Sequence, residues 1–300
     1  MLNTFLTLIF ADQAFSVRLI RPVCHRGMTE YFMNNIMPEI SKEKFEELYH
    51  QYNRREFVHP DPLEFLYHYE CLCDREIVAF VASSLAYGRV AHILKSVSSV
   101  LKLMEPTPSV FLKRTSLRTM RYIFSGFRHR FTNGQKICAM LFGVKSVIER
   151  NGSLQACFSA GLNDDDDTIL PALSAFTREL ANCADDNLKS LVPSPTKGSA
   201  CKRLNLFLRW MVRTDEVDPG GWDNVPVSKL IVPVDTHMHK ICHLLGLTAR
   251  KHADMGTALD ITMAFRTIAP ADPVRYDFSL TRLGIRKDAD MAAFLKQFQM

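Results

Sequence analysis

The fold is decided by residues 195–213, which read PTKGSACKRLNLFLRWMVR. A proline and a glycine open this stretch, and apolar residues then recur at intervals of three or four, at Leu204, Phe207, Leu208 and Met211. That interval is the period of an amphipathic α-helix, so the stretch predicts a turn followed by a helix. Lys202 lies in the first turn of this helix, on the side opposite to the apolar residues.

Helical periodicity continues on both sides of this stretch. We expect further helices at Lys42–Asn53, Asp74–Leu85, Val90–Met104, Gly134–Arg150, Asp166–Cys183, Asp235–Leu245 and Ala253–Ile268. Hardly any segment alternates apolar and polar residues as a β-strand does, and no hairpin turn lies between strand-like runs. The predicted fold class is therefore all-α, with long loops at Asp185–Ser199 and Thr214–Val227.

Composition narrows the class of protein. A chain of 300 residues with 47% apolar and 23% charged residues is typical of a globular protein with a real core. The net charge of +5 permits an anionic partner without requiring one. Because the eight cysteines include no C-x-x-C pair, we expect reduced thiols, no zinc or iron–sulfur site and no cofactor.

The N-terminal segment bears on the location of the protein in the cell. Leu2–Ala11 is apolar, but the run is too short to span a membrane and no lysine or arginine precedes it. We expect residues 1–27 to be a poorly ordered extension, with a weak signal peptide as the alternative, and residues 28–300 to form a single folded unit. The predicted protein is a soluble, cytoplasmic monomer that does not bind membranes.

Two charged residues at helix starts carry the candidate chemistry. Lys202 lies at the positive end of the helix dipole, where an ammonium charge is disfavoured and a nucleophilic amine is favoured. Asp235 follows an apolar run and begins the next helix, where a carboxylate can stabilise positive charge or transfer a proton. The structural alternatives are a helix N-cap at Asp235 and a solvated polar stripe made of Lys202, Asn205, Arg209 and Arg213.

Taken together, these segments resemble a known superfamily. A Gly-x-x-x-Lys ending at Lys202, followed by Val-Pro-Val-Asp-Thr-His at residues 232–237, is similar to the helix-hairpin-helix DNA glycosylases, which include endonuclease III and the 8-oxoguanine DNA glycosylases. The resemblance implies a two-lobed helical fold. Its central bundle would span about residues 74–213, and the second lobe would combine residues 28–73 with 214–300.

The resemblance also implies an activity and a set of site residues. Lys202 would attack the sugar C1′ of a flipped nucleotide with help from Asp235, excising an oxidised purine such as 8-oxoguanine through a Schiff base, with AP lyase activity. The partner would be double-stranded DNA with a damaged base, so the protein would be nucleoid-associated when acting. Residues that would bind DNA are Tyr87, Gly88, Arg89, Gly198, Arg203 and Arg209. Residues that would contact the extruded base are Trp222 and His237, whereas Phe207 and Trp210 are expected in the core.

The sequence departs from the superfamily pattern in its hairpin. The usual Leu-Pro-Gly-Val-Gly is not intact, and the interval from Lys202 to Asp235 is lengthened by a loop containing Asp-Pro-Gly-Gly-Trp at residues 218–222. The archaeal 8-oxoguanine glycosylases, with a similarly atypical hairpin, are the closer comparison. The chain also resembles bacterial proteins of unassigned function that share this loop and the Arg-Leu-Asn-x-Phe-Leu-Arg-Trp-Met-Val-Arg of residues 203–213.

Other interpretations of these segments remain open. Asp235, His239 and His243 recur every four residues, which is compatible with a metal-dependent hydrolase. A non-catalytic DNA-binding protein of the same fold is a second alternative. The Tyr87–Gly88 segment has the ordinary alternative of a helix C-cap. Asp277 and Arg282 are expected to form a structural pair on the surface.

Overall fold

The computed structural model describes residues 42–182, 188, 190–285 and 291–296, and this part of the chain is almost entirely helical. Its α-helices are α1 (Lys42–Tyr52), α2 (Leu72–Ser84), α3 (Val90–Lys102), α4 (Pro108–Arg114), α5 (Leu117–Ile123), α6 (Gly134–Asn151), α7 (Leu154–Ser159), α8 (Leu170–Ala181), α9 (Lys202–Val212), α10 (Thr236–Leu244), α11 (Met255–Ile268), α12 (Asp277–Ile285) and α13 (Met291–Lys296). The predicted all-α fold is confirmed. The described residues all belong to one compact unit, and the predicted extension at residues 1–27 lies outside them.

Short elements complete the fold. Two strands, β1 (Arg128–His129) and β2 (Thr132–Asn133), pair in an antiparallel hairpin that the sequence pattern did not indicate. Each strand has only two residues, too few to show alternation. Single-turn and longer 3-10 helices occur at Arg55–Phe57, Pro62–His68, Pro195–Lys197 and Val227–Lys229. No helix in the described part of the chain is long and apolar enough to cross a membrane.

Polar side chains fix where the helices begin. The side chain preceding a helix accepts a hydrogen bond from a backbone N–H of the first turn, which satisfies a donor that has no partner within the helix. Residues with this role are Thr107, Ser116, Asn133, Ser153, Asp235 and Asp254. Helix α8 begins at Leu170, four residues later than predicted, because Asn163 and Asp166 form a turn upstream.

The core is built around α2 and α9, which pack against each other. The ring of Phe80 on α2 meets the ring of Phe207 on α9 edge to face, with centroids 5.2 Å apart. Phe207 and Trp210 are fully buried, as predicted. Aromatic pairs of this geometry stabilise a core beyond the area they bury.

Trp222 lies in the same core, so the prediction that it contacts an extruded base is wrong. Its ring is 1% exposed and packs against Phe207, with centroids 5.1 Å apart. The reason is the path of the loop after α9. The N–H groups of Gly220 and Trp222 donate to the carbonyls of Trp210 and Met211, which turns the loop back along the end of the helix.

Gly220 is required at this turn. Its φ is +63°, and a Cβ at this position would lie 2.0 Å from Oγ1 of Thr214. Residues with a side chain rarely adopt such a conformation.

Arg209 and Arg213 anchor α9 to the chain that follows it. Both are 3% exposed, and both bind Asp218, which is completely buried. Arg209 also binds Asp277 on α12, and an Arg213 nitrogen lies 2.9 Å from an Asp272 oxygen. Burial disfavours the charged guanidinium, but Asp218 and Asp277 raise the pKa of Arg209 above its ordinary value.

This network corrects two predictions. The prediction that Arg209 binds DNA is wrong, because carboxylate partners enclose it, and the stripe that contains it is solvated only at Lys202. Asp277 and Arg282 are both buried and do not pair with each other. Asp277 faces Arg209, whereas Arg282 binds Asp61 with an N–O distance of 2.6 Å.

Cys71 and Cys73, at the start of α2, form a disulfide. The expectation of reduced thiols is therefore wrong for this pair, because one residue separates the two cysteines whereas the C-x-x-C pattern has two. Four other cysteines in the described chain are free and buried.

Removing the carboxylate at Asp218 should destabilise the fold. We expect Asp218→Ala to lower the free energy of unfolding by about 3–5 kcal/mol, because two buried guanidinium groups lose a shared counter-charge. Urea denaturation measures the loss. Glu216→Ala, which removes an exposed carboxylate two residues away, is the control and should be close to neutral. Equal stability of the two variants would contradict the anchoring role.

Candidate active site

A cleft of about 1020 Å³ brings distant parts of the chain together. Its walls come mainly from residues 57–62, 86–93, 193–210, 233–237 and 277–282. The predicted site residues that line it are Tyr87, Gly88, Lys202, Arg203, Arg209, Asp235 and His237. Arg89 and Gly198 are chain neighbours of lining residues but not part of the walls. The cleft therefore gathers most of the predicted site in one place.

Lys202 and Asp235 meet at this cleft. The Lys202 Nζ atom lies 2.8 Å from Asp235 Oδ2, and each side chain is about one third exposed (33% and 29%). Burial would raise the pKa of Asp235, but the charge and hydrogen bond of Lys202 bring the pKa below its ordinary value. The two residues singled out as nucleophile and assisting carboxylate are thus in direct contact.

Asp235 is also a helix N-cap. Its Oδ1 accepts hydrogen bonds from the backbone N–H groups of His237 and Met238, both at 2.9 Å. The carboxylate therefore uses one oxygen to cap α10 and the other to bind Lys202. The structural and functional interpretations of Asp235 are compatible.

A fixed turn delivers Lys202 to the first position of α9. Gly198 has a φ of +80°, and its carbonyl accepts a hydrogen bond from Met255 N–H at the start of α11. Cys201, immediately before Lys202, has a φ of +49°, which is rare for a residue other than glycine. Asn205 holds the turn from the other side, since its Nδ2 donates to the Ala200 carbonyl.

Arg203 ties the start of α9 to the end of α2. Its guanidinium donates to the carbonyls of Ser84 and Ser190 at 2.8 and 2.7 Å and lies 5.1 Å from the centre of the Tyr87 ring. Burial lowers the pKa of Arg203. In this structure the group predicted to bind DNA holds two backbone segments at the edge of the cleft.

The segment Tyr87–Arg89, which is predicted to bind DNA, also has internal contacts. The Tyr87 hydroxyl donates to the His129 carbonyl at 3.1 Å, and its oxygen lies 2.7 Å from Thr132 Oγ1, within hydrogen-bond distance. Gly88 has a φ of +100°, and Arg89 precedes α3 as an exposed residue. Helix α2 ends at Ser84, so this segment forms the connection between α2 and α3.

The three predicted metal ligands are not brought together. The His239 Nε2 lies 2.8 Å from the Arg250 carbonyl and the His243 Nδ1 lies 3.0 Å from the Thr248 carbonyl, while Asp235 binds Lys202. Within the described ranges, three potential ligands cluster only at Cys71, Cys73 and Asp74, where the sulfurs are bonded to each other. The geometry does not support the metal-hydrolase alternative.

Asp277 is a wall residue that the sequence did not assign to the site. It is 3% exposed and lines the cleft beside Arg209. Burial, with a smaller contribution from the Asp235 carboxylate, raises the pKa of Asp277 to about 6 despite the opposing effect of Arg209. A second acid therefore lies within electrostatic range of the Lys202–Asp235 pair. No local pattern around residue 277 indicates this, because its partner Arg209 is 68 residues away.

These features define a helical protein with a lysine–aspartate pair at the mouth of a large cleft. Residues 61–286 match the family described as "Protein of unknown function (DUF2400)", and the chain belongs to this family. The matched region includes Lys202, Asp235 and the buried network around Asp218. Neither the curated proteins nor the solved structures contain a match to the chain.

The ion pair should leave a signature in the dependence of stability on pH. Asp235→Asn keeps an N-cap acceptor but removes the charge. The pKa of Asp235 in the folded protein is below its ordinary value of 3.8. The contribution of the ion pair to stability is therefore present above pH 3.8 and is lost as the pH falls through the folded pKa. We expect the free energy of unfolding of wild type to exceed that of Asp235→Asn by about 1 kcal/mol at neutral pH. The difference should disappear in acid.

Urea denaturation at a series of pH values measures this difference. Asp254→Asn is a matched control, since Asp254 also caps a helix and binds an arginine, Arg250, in a more exposed pair, with side-chain exposures of 38% and 49%. Solvent screening should make its effect smaller. A difference for Asp235→Asn that stays constant into acid would show that the charge does not matter.

Proposed function

We propose that this protein is a DNA glycosylase with AP lyase activity that excises an oxidised purine, and that Lys202 and Asp235 form its catalytic centre. One observation carries the proposal: the Nζ of Lys202 lies 2.8 Å from a carboxylate oxygen of Asp235 at the mouth of a cleft of about 1020 Å³. A cleft of this size accommodates a nucleotide. The resemblance of both segments to helix-hairpin-helix glycosylases supplies the reaction.

The chemistry assigns a step to each residue. Asp235 accepts a proton from the Lys202 ammonium, and the free amine attacks C1′ of the extruded nucleotide. The Nζ–C1′ bond forms while the glycosidic bond breaks, and the electron pair of that bond leaves with the base. The proton held by Asp235 then neutralises the departing base. Opening of the sugar ring transfers a proton from Nζ to O4′ and leaves a Schiff base on Lys202.

The surroundings of the pair suit an anionic polymer. Helices α9 and α10 both begin at the cleft, so the positive ends of their dipoles face the region where a phosphate would lie. His237 is exposed at this cleft and remains the candidate for contact with the extruded base. Arg209 and Trp222 have no part in binding, because the network and the core enclose them.

Borohydride trapping tests the nucleophile. A duplex carrying 8-oxoguanine or an abasic site is incubated with the protein and sodium borohydride, which reduces a Schiff base to a stable adduct. We expect wild type to form the adduct, Lys202→Ala to form none, and Asp235→Asn to form it about 100-fold more slowly through loss of proton transfer.

Lys197→Ala is the matched control. Lys197 is an exposed lysine in the turn that leads to α9, outside the cleft walls. Its replacement should leave trapping unchanged. An adduct that survives Lys202→Ala and is lost in Lys197→Ala would assign the nucleophile to Lys197. No adduct and no base release from wild type would overturn the proposed function.

A further inference from the structure

Phe131 lies at the tip of the β1–β2 hairpin with 76% of its surface exposed. The tip consists of Arg130 and Phe131, between the paired residues His129 and Thr132. The Arg130 guanidinium is 5.3 Å from the centre of the Phe131 ring. Single exposed apolar residues are common on protein surfaces. The significance of Phe131 therefore depends on what holds it and what surrounds it.

Buried polar contacts hold the hairpin in place. His129 is 3% exposed, its Nδ1 lies 2.9 Å from Ser96 Oγ on α3, and its Nε2 lies 3.1 Å from the Tyr87 carbonyl. Burial lowers the pKa of His129, which favours the neutral ring. The Tyr87 hydroxyl binds Thr132 on the second strand, and Lys136 Nζ donates to the Phe131 carbonyl. The tip is thus presented by a fixed support.

The hairpin stands at the rim of the cleft. The Arg130 side chain covers Gly88 so closely that a Cβ on this glycine would be 2.8 Å from Arg130 Cδ. The Arg130 guanidinium is also 5.9 Å from the Tyr87 ring, and both Tyr87 and Gly88 line the cleft. Arg203, whose guanidinium lies 5.1 Å from the centre of the same ring, is the neighbour of Lys202. Continuous contacts therefore connect the tip to the catalytic pair.

The segment around the hairpin is strongly basic. Residues 77–148 contain eleven lysines and arginines and one acidic residue, Glu105, so the segment has a formal charge of +10 whereas the whole chain has +5. Such an asymmetry indicates a polyanionic partner. The exposed basic residues of the segment are Arg89, Lys95, Lys102, Lys113, Arg114, Arg118, Arg121, Arg128 and Arg130.

We propose that the β1–β2 hairpin is a DNA-binding element in which Phe131 stacks on a base at the damaged position, while Arg128 and Arg130 bind the flanking phosphates. An exposed aromatic ring on an anchored hairpin that also carries two arginines has the features of a base-stacking contact. A protein partner would need a wider apolar surface than one ring. The choice of DNA rests on the proposed function, because the hairpin borders the cleft assigned to DNA.

Fluorescence of a Phe131→Trp variant tests the stacking directly. The two native tryptophans, Trp210 and Trp222, are each 1% exposed, so a new indole at position 131 reports on the hairpin. The probe is a duplex with a tetrahydrofuran abasic analogue, which the protein cannot cleave by base excision. We expect the added emission to be quenched on binding, because the indole stacks on a base.

Affinity for the same duplex gives a second measurement. We expect Phe131→Ala to weaken binding about tenfold, in line with the cost of losing one base-stacking ring. Tyr122→Ala is the matched control, since Tyr122 is 84% exposed on α5, and it should bind like wild type. Arg128→Ala and Arg130→Ala should each reduce the slope of log affinity against log salt by about one.

The outcomes separate this proposal from the proposed function. Unquenched emission together with equal affinities of wild type and Phe131→Ala would overturn the role of the hairpin, even if Lys202-dependent trapping succeeds. Quenching and a tenfold loss without any trapping would support the hairpin and overturn the chemistry. Tighter binding of a single-stranded RNA than of the duplex would overturn the assignment to DNA. Unchanged thermal unfolding of Phe131→Ala confirms that the variant is folded.

Discussion

The structure depends on the neutralisation of two guanidinium groups inside it. Arg209 and Arg213 lie on the buried side of α9, where an unpaired charge would cost several kcal/mol. Asp218 binds both, and Asp277 and Asp272 complete the pairing. These partners come from the loop after α9 and from the chain around α12. The network therefore joins three parts of the fold at the end of one helix.

The same constraint positions the candidate site at the other end of that helix. Ion pairs hold the last turns of α9, and its apolar side packs on α2. Its first residue, Lys202, is then held at the cleft by the turn at Gly198 and Cys201. One polar stripe thus serves two purposes, since it is buried for stability at Arg209 and Arg213 and accessible at Lys202. Whether a residue of this stripe is buried or accessible depends on which elements pack against its turn of α9.

The sequence predicts part of this arrangement well. The interval between apolar residues was sufficient for the long helices, because each helix repeats it over several turns. Lys202 and Asp235 were placed at helix starts from local signals, and their proximity followed from the resemblance of the two segments together. The burial of Arg209 could not be predicted in this way, because periodicity assigns a charged residue to the solvent side. Its partner Asp277 is 68 residues away. A glycine-rich loop is ordinarily exposed, so the sequence pattern places Trp222 at the surface, whereas in the structure the N–H groups of this loop bind the end of α9.

The two carboxylate oxygens of Asp235 have different partners, so one residue can serve both as a helix cap and as a proton acceptor in the proposed reaction. Its Oδ1 is committed to two backbone N–H groups of α10, while its Oδ2 alone faces Lys202. A proton transferred to Oδ2 leaves the cap in place, so the helix start persists when the ion pair separates. In the reaction that we propose, the Lys202 side chain, one third exposed and bound to a single carboxylate oxygen, then turns toward the sugar. A carboxylate fixed at one oxygen keeps the acceptor in position on both sides of the proton transfer, which is the preorganisation that acid–base catalysis requires.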